Sequence, residues 1–311
     1  MDYPKYFDPR NSLNLYGFKR DFDFLLSLYS LNKLPKILML SGIRGSGKST
    51  LINHLLFSIF DKKNYDKQNF NISESSNFYK QFKNNIFQNI LYVKGTDFKS
   101  IKVEDIRNLK KKILQSSMIN NNRFIILDDI EKFNNNSLNA LLKIIEEPNK
   151  NNYFILINNK TRPLLETIKS RCLELKIILK ENTRLEIIKN LVQDYKIKST
   201  IDPKLSQLTP GNFIKFNYIF NEYNISLNNE FLENLSLLIN LFKKTKDILF
   251  VDIAYYLADV YFRNSKNDSL SKNNKTYEDK NFVLDNLNKY LSLNLNQNSF
   301  INAISNKLNH G

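Results

Sequence analysis

One nine-residue stretch constrains the fold of this chain more than any other. It reads GIRGSGKST and runs from Gly42 to Thr50. The stretch fits the phosphate-binding pattern G-x-x-x-x-G-K-[ST] at every fixed position. An apolar run at 37–40 precedes it, and apolar residues at helical spacing follow it. A strand, a glycine loop and a helix N-terminus in this order predict a polyphosphate site.

The fixed positions of the loop predict how a nucleotide is held. We expect backbone N–H groups and the dipole of the following helix to act on one bound polyphosphate. Lys48 would reach the terminal phosphates, and the Ser49 hydroxyl would complete a Mg²⁺ shell. The predicted nucleotide-binding residues of the loop are Gly42, Gly45, Gly47, Lys48, Ser49 and Thr50.

Length and charge limit the class of protein. With 311 residues, 42% of them hydrophobic and 25% charged, the chain is typical of a globular protein with two or three domains. Its net charge of +15 indicates a polyanionic partner such as nucleic acid. The chain is also rich in Asn, Lys and Ile, as expected from an AT-rich genome, so codon bias is an alternative source of the lysine excess.

Cysteine usage and hydropathy exclude several classes. Cys172 is the single cysteine, which excludes a disulfide framework and a cysteine-cluster zinc site. The N-terminus has no apolar signal region, and no run approaches the roughly 18 apolar residues of a membrane helix. We therefore predict a cytoplasmic protein without zinc and without a membrane partner.

Strand-like and helical patterns alternate along the first 180 residues. Apolar, strand-like runs occupy 37–40, 90–93, 124–127, 153–157 and 172–175. Helical spacing is found at 22–29, 51–59, 103–114, 138–145 and 163–169, with Pro148 predicted to stop the fourth of these helices. This alternation predicts a parallel sheet with helices on both faces. The polar interval at 61–88 is predicted to be an insertion with a short helix.

The remainder of the chain is predicted to be helical. Residues 183–195 are amphipathic, and a turn at 209–211 precedes a helix at 213–223. Helical patterns resume near 227, a polar loop is predicted at 264–280, and the final helices at 282–308. The predicted domains are an α/β nucleotide-binding domain (1–179), a small helical lid (180–225) and an all-helical C-terminal domain (226–311).

Two adjacent carboxylates follow the buried strand at 124–127. Asp128 lies where the carboxylate that orients Mg²⁺ is expected, 80 residues after Lys48 (128 − 48). Asp129 follows at the position of the base that polarises the attacking water, where Glu is the usual residue. Its side chain is one methylene shorter, and a base must reach its water within hydrogen-bond distance. The alternative is that both carboxylates only solvate the strand end.

Three further blocks carry a family resemblance. The stretch SLNALLKIIEEP at 137–148 resembles the N-A-L-L-K-x-x-E-E-P block of bacterial clamp-loader subunits. Ser170-Arg171-Cys172 resembles the S-R-C motif of that family, and Gly17 with Leu34-Pro35 is similar to its N-terminal box. The resemblance covers residues 10–180. It implies a AAA+ subunit of the pentameric DNA polymerase III clamp loader, which opens the sliding clamp and loads it at primer–template junctions.

The resemblance also implies roles for individual residues and partners. Arg171 would act in trans as an arginine finger on the ATP of a neighbouring subunit. Asn159, with Asn158 beside it, would be sensor 1 and would report the γ-phosphate. Cys172 is expected to pack at the start of a buried strand. The implied cofactors are ATP and Mg²⁺, and the implied partners are the other subunits of a hetero-pentameric ring, the sliding clamp and primer–template DNA.

Three departures favour the delta-prime type within this family. The insertion at 61–88 lacks the four-cysteine zinc module that gamma/tau and many delta-prime subunits carry. Asn212 follows Gly211, and the nearest base is Lys215, so the sensor 2 arginine of the motor subunits is missing. Asp129 weakens the hydrolytic base. With an intact phosphate loop, we predict ATP binding with weak or no intrinsic turnover.

Other functions are open on the sequence alone. The chain could be an active gamma/tau-type motor ATPase, a ring subunit that binds no nucleotide, or a stand-alone P-loop kinase, which would leave the S-R-C block unexplained. The densest basic helix face is predicted to contact DNA phosphates, and a solvated face is the alternative. That face carries Arg107, Lys110, Lys111 and Lys112.

Overall fold

The computed structural model describes residues 3–95, 101–114, 122–146, 151–227, 230–264, 270–293 and 296–309. These residues form two compact units. The first contains Asp2–Ile197 and Gln207–Lys215, and the second contains Lys198–Ser206 and Phe216–Gly311. The predicted division into three domains, with boundaries after 179 and 225, remains a prediction.

A five-stranded sheet forms the centre of the first unit. Its strands are β1 (Ile37–Ser41), β4 (Ile90–Lys94), β5 (Arg123–Asp128), β6 (Asn152–Asn158) and β7 (Leu173–Lys176). Two shorter strands, β2 (Tyr65–Asp66) and β3 (Asn71–Ile72), form a separate antiparallel pair. The order in the large sheet is β4-β5-β6-β1-β7, and every pair is parallel. The predicted parallel sheet is confirmed.

Helices cover both faces of this sheet. They are α1 (Lys19–Ser30), α2 (Lys48–Phe60), α3 (Asn77–Lys83), α4 (Val103–Leu114), α5 (Asn135–Ile145), α6 (Glu166–Lys169) and α7 (Glu181–Asp194). Alternate strand residues belong to opposite cores. Phe124, Ile126 and Ile155 pack with α1, α2, α3 and α7, whereas Ile125 and Leu127 pack with α4, α5 and α6. Because both faces are buried, the central strands are continuous apolar runs.

The insertion at 61–88 contains the predicted short helix, α3, and also the β2–β3 hairpin, which the sequence did not predict. Two-residue strands leave no alternating pattern to detect. The hairpin is tied to the N-terminal segment, since Leu15 N–H donates to the Phe70 carbonyl (3.1 Å) and Ile72 N–H to the Leu13 carbonyl (2.9 Å). The Tyr65 ring stacks on Phe22 of α1.

The second unit is helical in its described part. Its helices are α8 (Pro203–Ser206), the later residues of α9 (Pro210–Glu222), α10 (Phe231–Thr245), α11 (Ile248–Asn264), α12 (Leu270–Leu293) and α13 (Gln297–Asn309). Successive helices from α10 to α13 pack against each other. No helix of the described residues is long and apolar enough to span a membrane.

Three local predictions are wrong. The loop predicted at 264–280 is replaced from Leu270 onward by α12, whose buried Val283, Leu287 and Tyr290 lie at helical spacing and fix the later half of the helix. The turn at 209–211 is the start of α9, since proline is well suited to a first helical position. The predicted stop at Pro148 lies outside the described residues.

The third wrong prediction concerns the strand after Cys172. Strand β7 lies at the edge of the sheet and pairs only with β1 among the described strands. It is not buried, since Leu173 is 55% exposed. An edge strand has a neighbour on one side only, so an apolar sequence does not ensure its burial.

Candidate nucleotide site and arginine finger

The phosphate loop connects β1 to α2, as the motif predicts. Gly45 and Gly47 have φ angles of 79° and 95°, a conformation that favours glycine. A Cβ on Gly47 would lie 2.7 Å from the Phe18 ring, and a Cβ on Gly42 would lie 2.5 Å from the Ile177 carbonyl. Among the described residues, no side chain caps the start of α2. Its first N–H groups are therefore available to an anion.

Lys48 is the first residue of α2 and is 2% exposed. Its ammonium group donates to the carbonyls of Gly42 (2.8 Å) and Ile43 (2.9 Å). Burial lowers the pKa of Lys48 to about 8, although Asp128 and other nearby carboxylates oppose this effect. Ser49 and Thr50 follow as the second and third residues of α2. The loop thus holds a buried cation beside an uncapped helix start.

Asp128 is the last residue of β5 and is buried. One carboxylate oxygen accepts from the N–H of Asp129 (2.9 Å), and the other accepts from the Tyr92 hydroxyl on β4 (2.5 Å). Burial and the neighbouring Asp128 raise the pKa of Tyr92, so this phenol stays a hydrogen-bond donor. A carboxylate at this strand end is a suitable Mg²⁺ ligand.

The Asp129 carboxylate lies among cationic and amide groups. It accepts from Arg44 of the phosphate loop (3.2 and 3.3 Å) and from the Asn159 amide (2.6 Å). The Lys132 ammonium group lies 3.7 Å from one carboxylate oxygen of Asp129, and the side chains of Lys132 and Asp129 are each 3% exposed. Burial raises the pKa of Asp129, but Arg44, Lys132 and the Asn159 hydrogen bond outweigh this effect and lower it. The carboxylate is therefore ionised but firmly held.

The segment after β6 is held by a third carboxylate, Glu131. This buried side chain accepts from the backbone N–H of Asn159 (3.2 Å) and from the hydroxyl of Thr161 (2.8 Å). Asn158 turns back and accepts from the N–H of Lys160 (2.9 Å). The backbone of Asn159 is thus fixed by Glu131, while its side-chain amide donates to Asp129.

The structure brings most of the predicted nucleotide ligands to one edge of the sheet. The loop follows β1, Asp128 ends β5 with Asp129 directly after it, and Asn159 follows β6. These three strands are adjacent in the sheet. Ligands of parallel α/β sheets bind at this carboxyl edge. Asn212 lies beside Gly45, whereas the Lys215 ammonium group lies 5.4 Å from the centre of the Phe7 ring.

Sequence reasoning missed several residues of this site. Arg44 occupies a variable position of the motif, Tyr92 resembles any strand residue, and Glu131 lies in a short 3-10 helix. For Arg44, the sequence signal was its positive charge inside the phosphate loop. No pattern marks the other two, because their roles depend on side chains from distant segments.

Arg171 lies at the surface just after α6, and its side chain is 38% exposed. Its guanidinium group pairs with Glu146 (3.0 Å) and donates to the Thr167 carbonyl (2.9 Å). An exposed ion pair of this kind contributes at most about 1 kcal/mol, so Arg171 can change partner at low cost.

The structure also gives the surroundings of Cys172 and of the basic face of α4. Cys172 is half-buried and packs against the α4–α6 core, and burial raises the pKa of its thiol to about 11, which makes it a poor nucleophile. On α4, Arg107 and the three lysines at 110–112 are exposed, and Arg107 pairs with Glu104 (3.1 Å).

These residues fit a nucleotide with Mg²⁺: two positive-φ glycines, an uncapped helix start, a buried lysine and a carboxylate at the adjacent strand end. The sheet order and the phosphate loop define a P-loop α/β fold of the AAA+ class. A family model described as "DNA polymerase III, delta subunit" matches residues 19–181, more than half of the chain. The chain therefore belongs to this family of DNA polymerase III clamp-loader subunits.

Individual relatives support the same assignment. Over 117 residues the chain is 34% identical to the DNA polymerase III subunit delta' of Buchnera aphidicola subsp. Schizaphis graminum, covering 36% of each chain. Over 172 residues it is 30% identical to the subunit gamma of the same organism, covering 53% of this chain and 44% of the relative. The chain thus spans less than half the length of these curated relatives.

A solved structure also aligns with most of the chain. It is a DNA polymerase III gamma subunit-related protein from Thermotoga maritima, with 16% identity and a TM-score of 0.48. The alignment covers 90% of this chain and 96% of that one.

Proposed function

We propose that this chain is a delta-prime-type subunit of the DNA polymerase III clamp loader that binds ATP with weak or no turnover. The observation that carries the proposal is the Asp129 carboxylate, which Arg44, Asn159 and Lys132 hold in place. A hydrolytic base must accept a proton from water, and both its lowered pKa and its existing partners oppose that step.

Nucleotide binding in this proposal uses the phosphate loop. ATP with Mg²⁺ supplies the triphosphate charge that the site recognises. Lys48 would exchange the carbonyls of Gly42 and Ile43 for phosphate oxygens, and Ser49 and Asp128 would hold Mg²⁺. Asn159 would respond to the terminal phosphate, and its present bond to Asp129 links the sensor to the base position.

The proposed contribution to the assembly is Arg171. In a hetero-pentameric ring it would enter the ATP site of a neighbouring subunit and stabilise the charge that develops on the transferred phosphoryl group. The ring would load the sliding clamp onto primer–template DNA. The surface exposure of Arg171 and its weak ion pair with Glu146 support this role. Contact of the α4 lysines with DNA and a cytoplasmic location remain predictions.

A gamma-type motor is the second candidate, because the phosphate loop is intact and gamma subunits are among the relatives. ATP affinity and steady-state hydrolysis of the isolated chain separate the two. We expect saturable, Mg²⁺-dependent ATP binding and turnover far below the typical enzymatic range of about 1–1,000 s⁻¹. A Lys48→Ala variant serves as the non-binding control.

Brisk hydrolysis by the isolated chain would contradict the delta-prime assignment and favour the motor. Failure to bind ATP at all, with the fold intact by circular dichroism, would contradict the proposed nucleotide site and leave a purely structural subunit.

A further inference from the structure

Helix α9 begins directly on the phosphate loop. The N–H of Phe213 donates to the Thr209 carbonyl (2.8 Å), which makes Thr209 the N-cap of this helix. Its hydroxyl donates to the carbonyl of Arg44 in the phosphate loop (2.8 Å). The N–H of Gly211 donates to the carbonyl of Gly45 (2.9 Å). One helix start therefore holds two successive carbonyls of the loop.

Glycine on both sides makes this contact possible. A Cβ on Gly45 would lie 2.5 Å from the Thr209 hydroxyl and 2.9 Å from the Asn212 side-chain oxygen. A Cβ on Gly211 would lie 2.9 Å from both the Cα and the carbonyl oxygen of Gly45. The two backbones touch with no space for a side chain, so the contact has a defined geometry.

Holding these carbonyls also sets the direction of the neighbouring N–H groups. A peptide unit is planar and trans, so its C=O and the following N–H point in opposite directions. The bonds from α9 to Arg44 and Gly45 thereby orient the N–H groups of Gly45 and Ser46. The N–H of Ser46 donates to the Ile43 carbonyl (3.3 Å), a second contact that depends on the same orientation.

We propose that Thr209 is a positioning residue for nucleotide binding, acting through its bond to the Arg44 carbonyl. The loop amides are preorganised for phosphate before the nucleotide arrives, and part of the ordering cost of binding is removed in advance. The inference rests on the proposed ATP binding and extends it to a residue 165 positions away in sequence.

The test compares Thr209→Val, which removes the hydroxyl at nearly constant shape, with Thr209→Ser, which retains it. Calorimetric titration with Mg²⁺–ATP should show about fivefold weaker binding for the valine variant, the usual effect of one hydrogen bond. The serine variant should bind within about twofold of the parent chain. Thr245→Val is the matched control, because its hydroxyl donates to the Leu241 carbonyl (2.8 Å) within α10.

Amide hydrogen exchange without nucleotide separates this inference from the proposed function. The Gly45 amide, which shares a peptide unit with the Arg44 carbonyl, should exchange faster in Thr209→Val than in Thr209→Ser, whether or not the chain binds ATP. Equal exchange in both variants would overturn the positioning role, and so would equal ATP affinity in a chain that binds ATP. If the parent chain does not bind ATP but the two variants differ in amide exchange, only the proposed function is overturned.

Discussion

Asp129 shows how one residue changes the reading of a nucleotide site. The sequence identified it as a short hydrolytic base, and its length was one argument for weak turnover, beside the missing sensor 2 arginine at Asn212. In the structure, the stronger reason is its partners. Arg44 at 3.2 Å and Asn159 at 2.6 Å occupy its oxygens in a buried setting, where ion pairs are little screened. Removal of a cation should therefore matter more than the missing methylene.

Replacement of Arg44 by Met should release one oxygen of Asp129 and raise its pKa toward the ordinary range. We expect the ATP turnover of the chain to rise about tenfold, since a positioned base contributes roughly 10²–10⁴-fold and Lys132 and Asn159 still hold this one. Single-turnover hydrolysis at saturating ATP measures this effect. Arg107→Met, which breaks an exposed ion pair with Glu104, is the control. Unchanged or lower turnover would show that Arg44 does not restrain Asp129.

At the scale of elements, the insertion is tied to α2 through His54. This fully buried imidazole lies 3.1 Å from the Ser12 carbonyl and 3.2 Å from the Tyr65 hydroxyl of the hairpin. Because a carbonyl only accepts, Nε2 carries the proton and Nδ1 accepts from Tyr65. The neutral ring therefore joins three segments, and burial lowers the pKa of His54 to about 4.

This arrangement makes stability depend on pH in a defined direction. Between pH 6.5 and 4 the unfolded chain binds a proton at His54 that the folded chain does not, so stability is full above pH 6.5 and falls as the pH drops toward 4. The loss is about 3 kcal/mol. Urea denaturation at several pH values in this range gives the free energy of unfolding. This free energy should fall more steeply with decreasing pH for the parent chain than for His54→Gln, which cannot titrate at this position. Parallel pH profiles would contradict the buried neutral histidine.

Predictability also varied among the elements. The central strands β1, β5 and β6 were found from sequence because they are apolar runs buried on both faces. The first half of α12 was missed, since its polar sequence has no hydrophobic period and its position is fixed by later residues such as Val283 and Leu287. The same limit applies to β2 and β3, which are short and stabilised by contacts with Leu13 and Leu15.

At the scale of the whole molecule, the chain has a candidate nucleotide site at the phosphate loop and an exposed arginine, Arg171, as separate features. In the proposed assembly they serve different ATP molecules, one bound by this chain and one by its neighbour. The net charge of +15 is compatible with a DNA-loading complex, and the exposed α4 lysines are one source of it.

Replacement of Arg171 by Ala should affect the assembled loader and not the isolated chain. The neighbour's ATP site should slow by roughly 10³–10⁵-fold, the effect of arginine fingers in general, so the total ATPase falls by the share of that site. The ATP affinity of the chain itself should stay unchanged. Lys169→Ala, an adjacent exposed cation paired with Glu166, is the control. A collapse of affinity at the chain's own site would refute the in-trans role.

The amino-acid sequence by itself determined the sheet, the phosphate loop and the family, because these depend on local patterns: apolar runs, glycine spacing and short motifs with fixed order. Tertiary structure alone decided which groups surround each functional side chain. Arg44 and Asn159 reach Asp129, and Thr209 reaches the phosphate loop, across 85, 30 and 165 positions of the chain. Such partners leave no periodic trace in sequence, since only the folded backbone brings them within hydrogen-bond distance.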